Sequence, residues 1–220
     1  DLHSFPTRRS SDLNLSVFQS RKALLRERGI ISVYRPLSFI GSGFFMEKKM
    51  IMVNTGDGKG KTTASIGQII RSLGHGNKVC LIQLFKGEDF YGEQKILAKL
   101  EGLDFYSYAS RHPFCVKNAS PDETPQQCLF ALKKLAEIAS APKRYDLIVL
   151  EEFNIALRDN FIETGAFLEL LKKLSGKADI IITGRGAPQK LQDMADLVTE
   201  MKEIKHPYRK GVPAKKGIEF

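Results

Sequence analysis

The sequence predicts an α/β fold, a mostly parallel sheet covered by helices on both faces. Three observations carry that reading. From Met50 onward, six short apolar, β-branched runs alternate with helical patterns. The runs are nearly continuous in apolar residues instead of alternating with polar ones, which means burial on both faces. The first run leads straight into a glycine-rich turn and a helix, the opening unit of many such folds.

In chain order the strands are "MIMVNT" (50–55), "KVCLIQLF" (78–85), "LDFYSYA" (103–109), "DLIVLEE" (146–152), "DIIITGR" (179–185) and "ADLVTEMKEI" (195–204). The first helix, 61–73, starts on the Lys-Thr pair that closes the turn and ends at "GHG", where His75 between two glycines reads as a cap segment. Helices follow at 91–100, 122–139, 163–174 and 188–195. Right-handed crossovers would bring the loops after the strands to one edge of the sheet.

Residues 1–45 read differently. "HSFPTRRSSDL" has no strand or helix period and resembles translated adapter sequence. "VFQSRKALLRERG" suits a short basic helix, and "YRPLSFIGSGFF" is broken by Pro36 and two glycines. The apolar stretch is too interrupted for a signal peptide. Residues 1–45 are therefore expected to be upstream sequence before a start at Met46 or Met50, the alternative being an arm that covers a site. One phosphate-loop domain is expected over 46–220.

The formal charge of +9 is uneven: residues 1–45 hold seven Lys/Arg against three acids, so +4 falls there and +5 on 46–220. Such a mild excess argues against a nucleic-acid partner. No apolar run approaches the roughly 20 residues of a membrane span. Cys80, Cys115 and Cys128 are scattered, without CxxC or a zinc pattern, which fits a reduced, cytoplasmic protein.

The chemistry starts at "TGDGKGKTTA" (55–64). Gly60, Lys61 and Thr62 match the end of the phosphate-loop motif GxxxxGK[ST], but its first glycine is replaced by Thr55, with Gly56 one step later. Gly56, Gly58 and Gly60 let the backbone turn with N–H groups inward. The helix beginning at Lys61 adds its positive end. Lys61 and Lys59 supply cations, the Thr62 hydroxyl can ligate Mg²⁺ or Mn²⁺, and Asp57 and Thr63 complete the loop. A glycine-rich turn without ligand is the bland alternative. Glu151 and Glu152, at the end of a buried strand, are placed to hold that metal, one of them directly. As plain strand-end acids they would merely be solvated. Arg185 ends another strand, where it either binds nucleotide or pairs with a local acid.

Beyond the loop, "IQLFKG", "YGE", "VLEEFNIAL", "IITGRGAP", "ADLVTEM" and "IKHPYRKGVPAKKGIEF" follow in order. Together with "VNTGDGKGKTTASIGQIIRSLGHGNKV" they resemble the ATP:corrinoid adenosyltransferases of the phosphate-loop type, over about residues 46–220. The resemblance implies a P-loop NTPase-like, RecA-like fold. It also implies transfer of the 5′-deoxyadenosyl group of ATP to the Co(I) of a corrinoid, cob(I)alamin or cob(I)yrinic acid a,c-diamide, with triphosphate leaving. ATP and the corrinoid would be substrates, a flavodoxin-like donor the reductant, and a homodimer the working form. It further implies that Gly56 through Thr63 hold the triphosphate and that Thr62, Glu151 and Glu152 hold the metal; Thr55 and Arg185 are expected to join them in binding ATP, and Lys61 to be catalytic. Phe114 and Val116 in "RHPFCVKN" would face the corrinoid, Phe114 excluding the axial ligand. Better-known members carry Trp where Val116 stands, and this chain has no Trp. His206 in the matched tail reads as structural, not as a cobalt ligand. Two other readings stay open: a generic phosphate-loop ATPase or kinase, and a binding module that delivers cofactor without turnover.

Overall fold

A computed structural model describes residues 48–87, 91–109, 123–142 and 144–220. Six strands form one sheet: β1 (Ile51–Thr55), β2 (Val79–Leu84), β3 (Leu103–Tyr108), β4 (Leu147–Glu151), β5 (Asp179–Thr183) and β6 (Leu197–Glu200). Their spatial order is β3-β2-β4-β5-β1-β6, and every neighbouring pair is parallel.

Parallel strands need crossovers, and helices supply them. These are α1 (Lys61–Gly74), α2 (Gln94–Leu97), α3 (Glu123–Ser140), α4 (Phe153–Arg158), α5 (Thr164–Leu174) and α6 (Gln189–Met194). Successive residues of a strand face opposite ways, so each central strand feeds two cores. Val79, Leu81, Leu147, Val149 and Ile181 pack with Ile69 of α1 and Leu97 of α2. Cys80, Ile82, Ile148, Leu150, Ile180 and Ile182 pack with Leu135 of α3, Phe153 of α4, Phe167 and Leu171 of α5, and Leu191 of α6. The domain thus has three layers, helix, sheet and helix. Among the described residues no helix is long and apolar enough to cross a membrane.

All six strand expectations hold, with shorter ends. β5 stops at Thr183 because Gly184 (φ 128°) and Gly186 (φ 68°) turn the chain. β6 covers only 197–200 and lies exposed at the sheet edge, paired on one side with β1. The second helix shrinks from 91–100 to Gln94–Leu97. α4 was not expected: it begins directly after β4, where Glu152 takes a left-handed φ of 65° and converts strand to helix within one residue. Its six residues are too few to show a helical period. α5 starts as expected, with the Glu163 carboxylate accepting the N–H groups of Gly165 and Ala166 at 2.7 and 2.6 Å. His75 caps α1, its N–H reaching Ser72 O at 3.0 Å.

The loops that follow β1, β2, β4, β5 and β6 share the carboxyl edge of the sheet. The turns at 75–78 and 175–178 lie at the opposite edge, each leading into the start of a strand.

Candidate functional site

The glycine-rich loop spans Gly56–Gly60 between β1 and α1. Gly60 stands before the helix at φ 120° and Gly56 at φ 91°, both costly for a residue with a side chain. The middle of the loop is pressed against the chain leaving β6. Gly58 N–H donates to Met201 O at 2.6 Å. A Cβ on Gly56 would stand 2.5 Å from that oxygen and one on Gly58 2.7 Å from it. Close approach of Met201 and Lys202 is thus what requires these two glycines, and the Gly58 N–H is spent on Met201 instead of pointing inward as expected.

Lys61 opens α1 and folds back over the loop, donating to Gly56 O at 2.6 Å and Gly58 O at 2.7 Å. Burial, then the Arg185 charge, hold its ammonium below the usual lysine pKa. Thr55 is buried, and its hydroxyl oxygen accepts Ala187 N–H at 3.1 Å, tying β1 to the loop after β5.

The two strand-end acids differ in role. Glu151 is 1 % exposed and fully engaged. Its Oε1 accepts from the Thr62 hydroxyl, and from Lys86 Nζ at 3.2 Å. Its Oε2 accepts from Ser65 Oγ at 3.0 Å and Thr183 Oγ1 at 2.6 Å. The Thr183 hydroxyl also accepts Glu152 N–H at 3.1 Å. Glu152, by contrast, has an Oε2 sealed from solvent with no hydrogen-bond partner among the described residues. Burial first and the Glu151 charge second push its carboxyl up to about 7. An orphaned buried carboxylate oxygen is costly unless a cation or a proton meets it. Asn154 Nδ2 braces this corner, donating to Gly184 O at 2.9 Å and Asn54 O at 3.2 Å.

A cavity of about 910 Å³ opens over the loop. Of the residues expected at the site, Asp57, Gly58, Lys59, Gly60, Lys61, Thr62, Thr63, Glu152 and Arg185 line it. Thr55, Gly56 and Glu151 do not, standing behind it. Lys86, Tyr91, Glu93, His206 and Gly217–Phe220 complete the wall. Arg185 makes no ion pair among the described residues, so the alternative of pairing with a local acid is not seen. Lys59 Nζ donates to Ile218 O at 2.7 Å, drawing the tail over the loop. His206 Nδ1 accepts Tyr208 N–H at 3.2 Å and caps the 3₁₀ turn Pro207–Lys210, a structural role. Phe114 and Val116 lie outside the described residues.

Sequence reasoning missed Lys86, Ser65, Thr183 and Met201. Lys86 alone carried a signal, a lysine two residues past a fully buried strand. The others meet the site only through the fold.

A parallel sheet, a glycine-rich loop entering α1 and a strand-end carboxylate bonded to the loop threonine define a phosphate-loop nucleotide-binding domain. The family model for "ATP:corrinoid adenosyltransferase BtuR/CobO/CobP" matches residues 47–220, and the chain belongs to that family. It transfers the adenosyl group of ATP to a corrinoid. It is similar to a corrinoid adenosyltransferase of Sinorhizobium sp. (36 % identity over 79 % of this chain and 81 % of that one). A second relative is the corrinoid adenosyltransferase CobA of Salmonella typhimurium (32 %, over 79 % and 87 %). A third is the corrinoid adenosyltransferase of Escherichia coli K12 (30 %, over 79 % and 87 %). Among solved structures the RadB recombinase gives a TM-score of 0.41 at 14 % identity, over 73 % of this chain and 77 % of that one.

Proposed function

We propose that the cavity over Gly56–Thr63 binds ATP with its triphosphate on the loop and its ribose C5′ toward the corrinoid. Co(I) attacks C5′, the C5′–O bond breaks, and triphosphate leaves with the bonding pair while a Co–C bond forms. The observation that carries this is the cation-lined wall: Lys59, Lys61, Lys86 and Arg185 converge on one cavity beside an orphaned carboxylate. Such a wall neutralises charge that grows on a departing polyphosphate.

The residues fit a hard divalent cation. Thr62 Oγ1 and Glu151 Oε1 already share one positive group, the Lys86 ammonium, and Glu152 Oε2 lacks a partner among the described residues. Thr62, Glu151 and Glu152 would hold Mg²⁺ or Mn²⁺, which supplies positive charge against the phosphates. Phosphate oxygens of ATP and water would complete the shell. Lys61 holds the triphosphate, Arg185 reaches it from the β5 side, and Thr183 and Ser65 orient Glu151.

On the family resemblance, Phe114 and Val116 face the corrinoid and exclude its axial ligand. On the same basis a flavodoxin-like donor reduces Co(II) in the cytoplasm, and the enzyme works as a homodimer built from a 46–220 domain.

The test is anaerobic. The full chain is mixed with Mg-ATP and chemically generated cob(I)alamin, and the spectrum and phosphate products are followed together. Adenosylcobalamin rising in step with triphosphate is expected. ADP accumulating without adenosylcobalamin would establish ordinary hydrolysis and overturn the reading.

A further inference from the structure

Lys86 follows β2 and is 7 % exposed, an unusual position for a lysine. Its Nζ donates to Thr62 Oγ1 at 2.9 Å and to Glu151 Oε1 at 3.2 Å. Glu93 Oε1 stands 3.8 Å away, and the Tyr91 ring centroid lies 5.0 Å from the ammonium. Two oxygens that suit a divalent cation, already joined by the Thr62 hydroxyl hydrogen, are therefore both held by a tethered monovalent one. A second seat, Glu93 with Tyr91, adjoins it on the cavity wall.

We infer that Lys86 is a positioning residue that takes the metal's place against the Thr62 and Glu151 oxygens until nucleotide arrives, so that the divalent cation enters only together with ATP. Both cations need the same lone pairs, and at these distances they exclude one another. Free metal must displace a buried ion pair with no phosphate oxygens in return. Metal carried by ATP brings those oxygens, and the polyphosphate gives the displaced ammonium a new anionic partner beside Glu93. The binding order is thereby built into one side chain. This rests on the metal site proposed above.

The experiment measures Mn²⁺ binding to the full chain by electron paramagnetic resonance, with and without ATP. Wild type, Lys86→Met and Thr62→Ala are compared, with folding checked by circular dichroism. Without ATP, Lys86→Met is expected to bind Mn²⁺ at least about tenfold more tightly than wild type, the scale of changes beside a metal ligand. Equal free-metal affinity in the two would overturn the inference. Wild type provides a test that needs no Lys86 variant: without ATP it should bind Mn²⁺ no better than Thr62→Ala. Tight free-metal binding by wild type that Thr62→Ala abolishes would also overturn it, while leaving the metal site intact. With ATP present, wild type should hold Mn²⁺ far better than Thr62→Ala. No difference there would overturn the metal-site reading and this inference together.

Discussion

Gly58 N–H donates to Met201 O at 2.6 Å, so the phosphate loop is clamped by the chain that leaves the edge strand β6. Gly58→Ala would push a methyl to 2.7 Å from that oxygen and 2.8 Å from the Lys202 carbonyl carbon, both backbone atoms that cannot swing away. The expected cost is about 1–3 kcal/mol of stability, read in a denaturant melt without ligand. Unchanged stability would mean that the loop does not need this buttress.

Thr55 offers a contrast between binding and architecture. Its hydroxyl accepts Ala187 N–H inside the protein and does not line the cavity. Thr55→Val should leave that N–H without an acceptor and cost about 1–3 kcal/mol, while Thr55→Ser restores it. ATP affinity of the folded Val variant, measured by calorimetry, should stay close to wild type; a selective loss of affinity would return Thr55 to the nucleotide site.

Lys61 should separate the two properties the other way. Its ammonium sits on Gly56 O and Gly58 O at the wall of the cavity. Lys61→Ala is expected to melt near wild type without nucleotide. Adenosyl transfer should fall by roughly 10²–10³-fold or more, and the rise in melting temperature on adding Mg-ATP should disappear. Retention of that rise would remove Lys61 from triphosphate binding.

The Thr183 hydroxyl donates to Glu151 Oε2 at 2.6 Å and accepts Glu152 N–H at 3.1 Å, setting both acids at once. Thr183→Val should weaken Mn²⁺ binding in the presence of ATP by about 10–100-fold, and Thr183→Ser should recover it. Failure of Ser to rescue would point to packing at β5, not to the hydrogen bonds.

Glu152 predicts a pH dependence without any ligand. Its carboxyl titrates near 7 in the folded domain and near 4.5 when unfolded. Between those values the native state binds more protons than the unfolded chain, so this group's contribution is complete below 4.5 and is lost as pH rises to about 7. Each tenfold difference in proton affinity between the two states is worth about 1.4 kcal/mol. Glu152→Gln should abolish this slope and be the more stable protein above pH 7. Parallel wild-type and Gln curves from urea melts across that range would contradict the assignment.

The fold was legible because burial on both faces writes itself into local composition: "DLIVLEE" and "DIIITGR" could hardly be anything but central strands. The loop and the strand-end acids were legible because each lies within a few residues of a strand end. What stayed hidden depends on distant contacts. Nothing near Met201 announces that it will meet Gly58, nor does Thr183 announce Glu151. Lys86 stood in a quoted motif, yet only packing shows that it holds both Thr62 and Glu151. α4 escaped because it follows β4 with no intervening loop, through a single left-handed glutamate.

The separation of the two edges of the sheet has a practical consequence. The described residues that line the cavity lie along one rim, while the turn at 175–178 lies on the other, and Gly176 there (φ 86°) has no atom within 4 Å of where a Cβ would stand. A fluorescent reporter or an affinity handle spliced between Ser175 and Lys177 would extend outward on the far side from the cavity. The enzyme offers a natural attachment point for immobilisation or for optical readout of turnover.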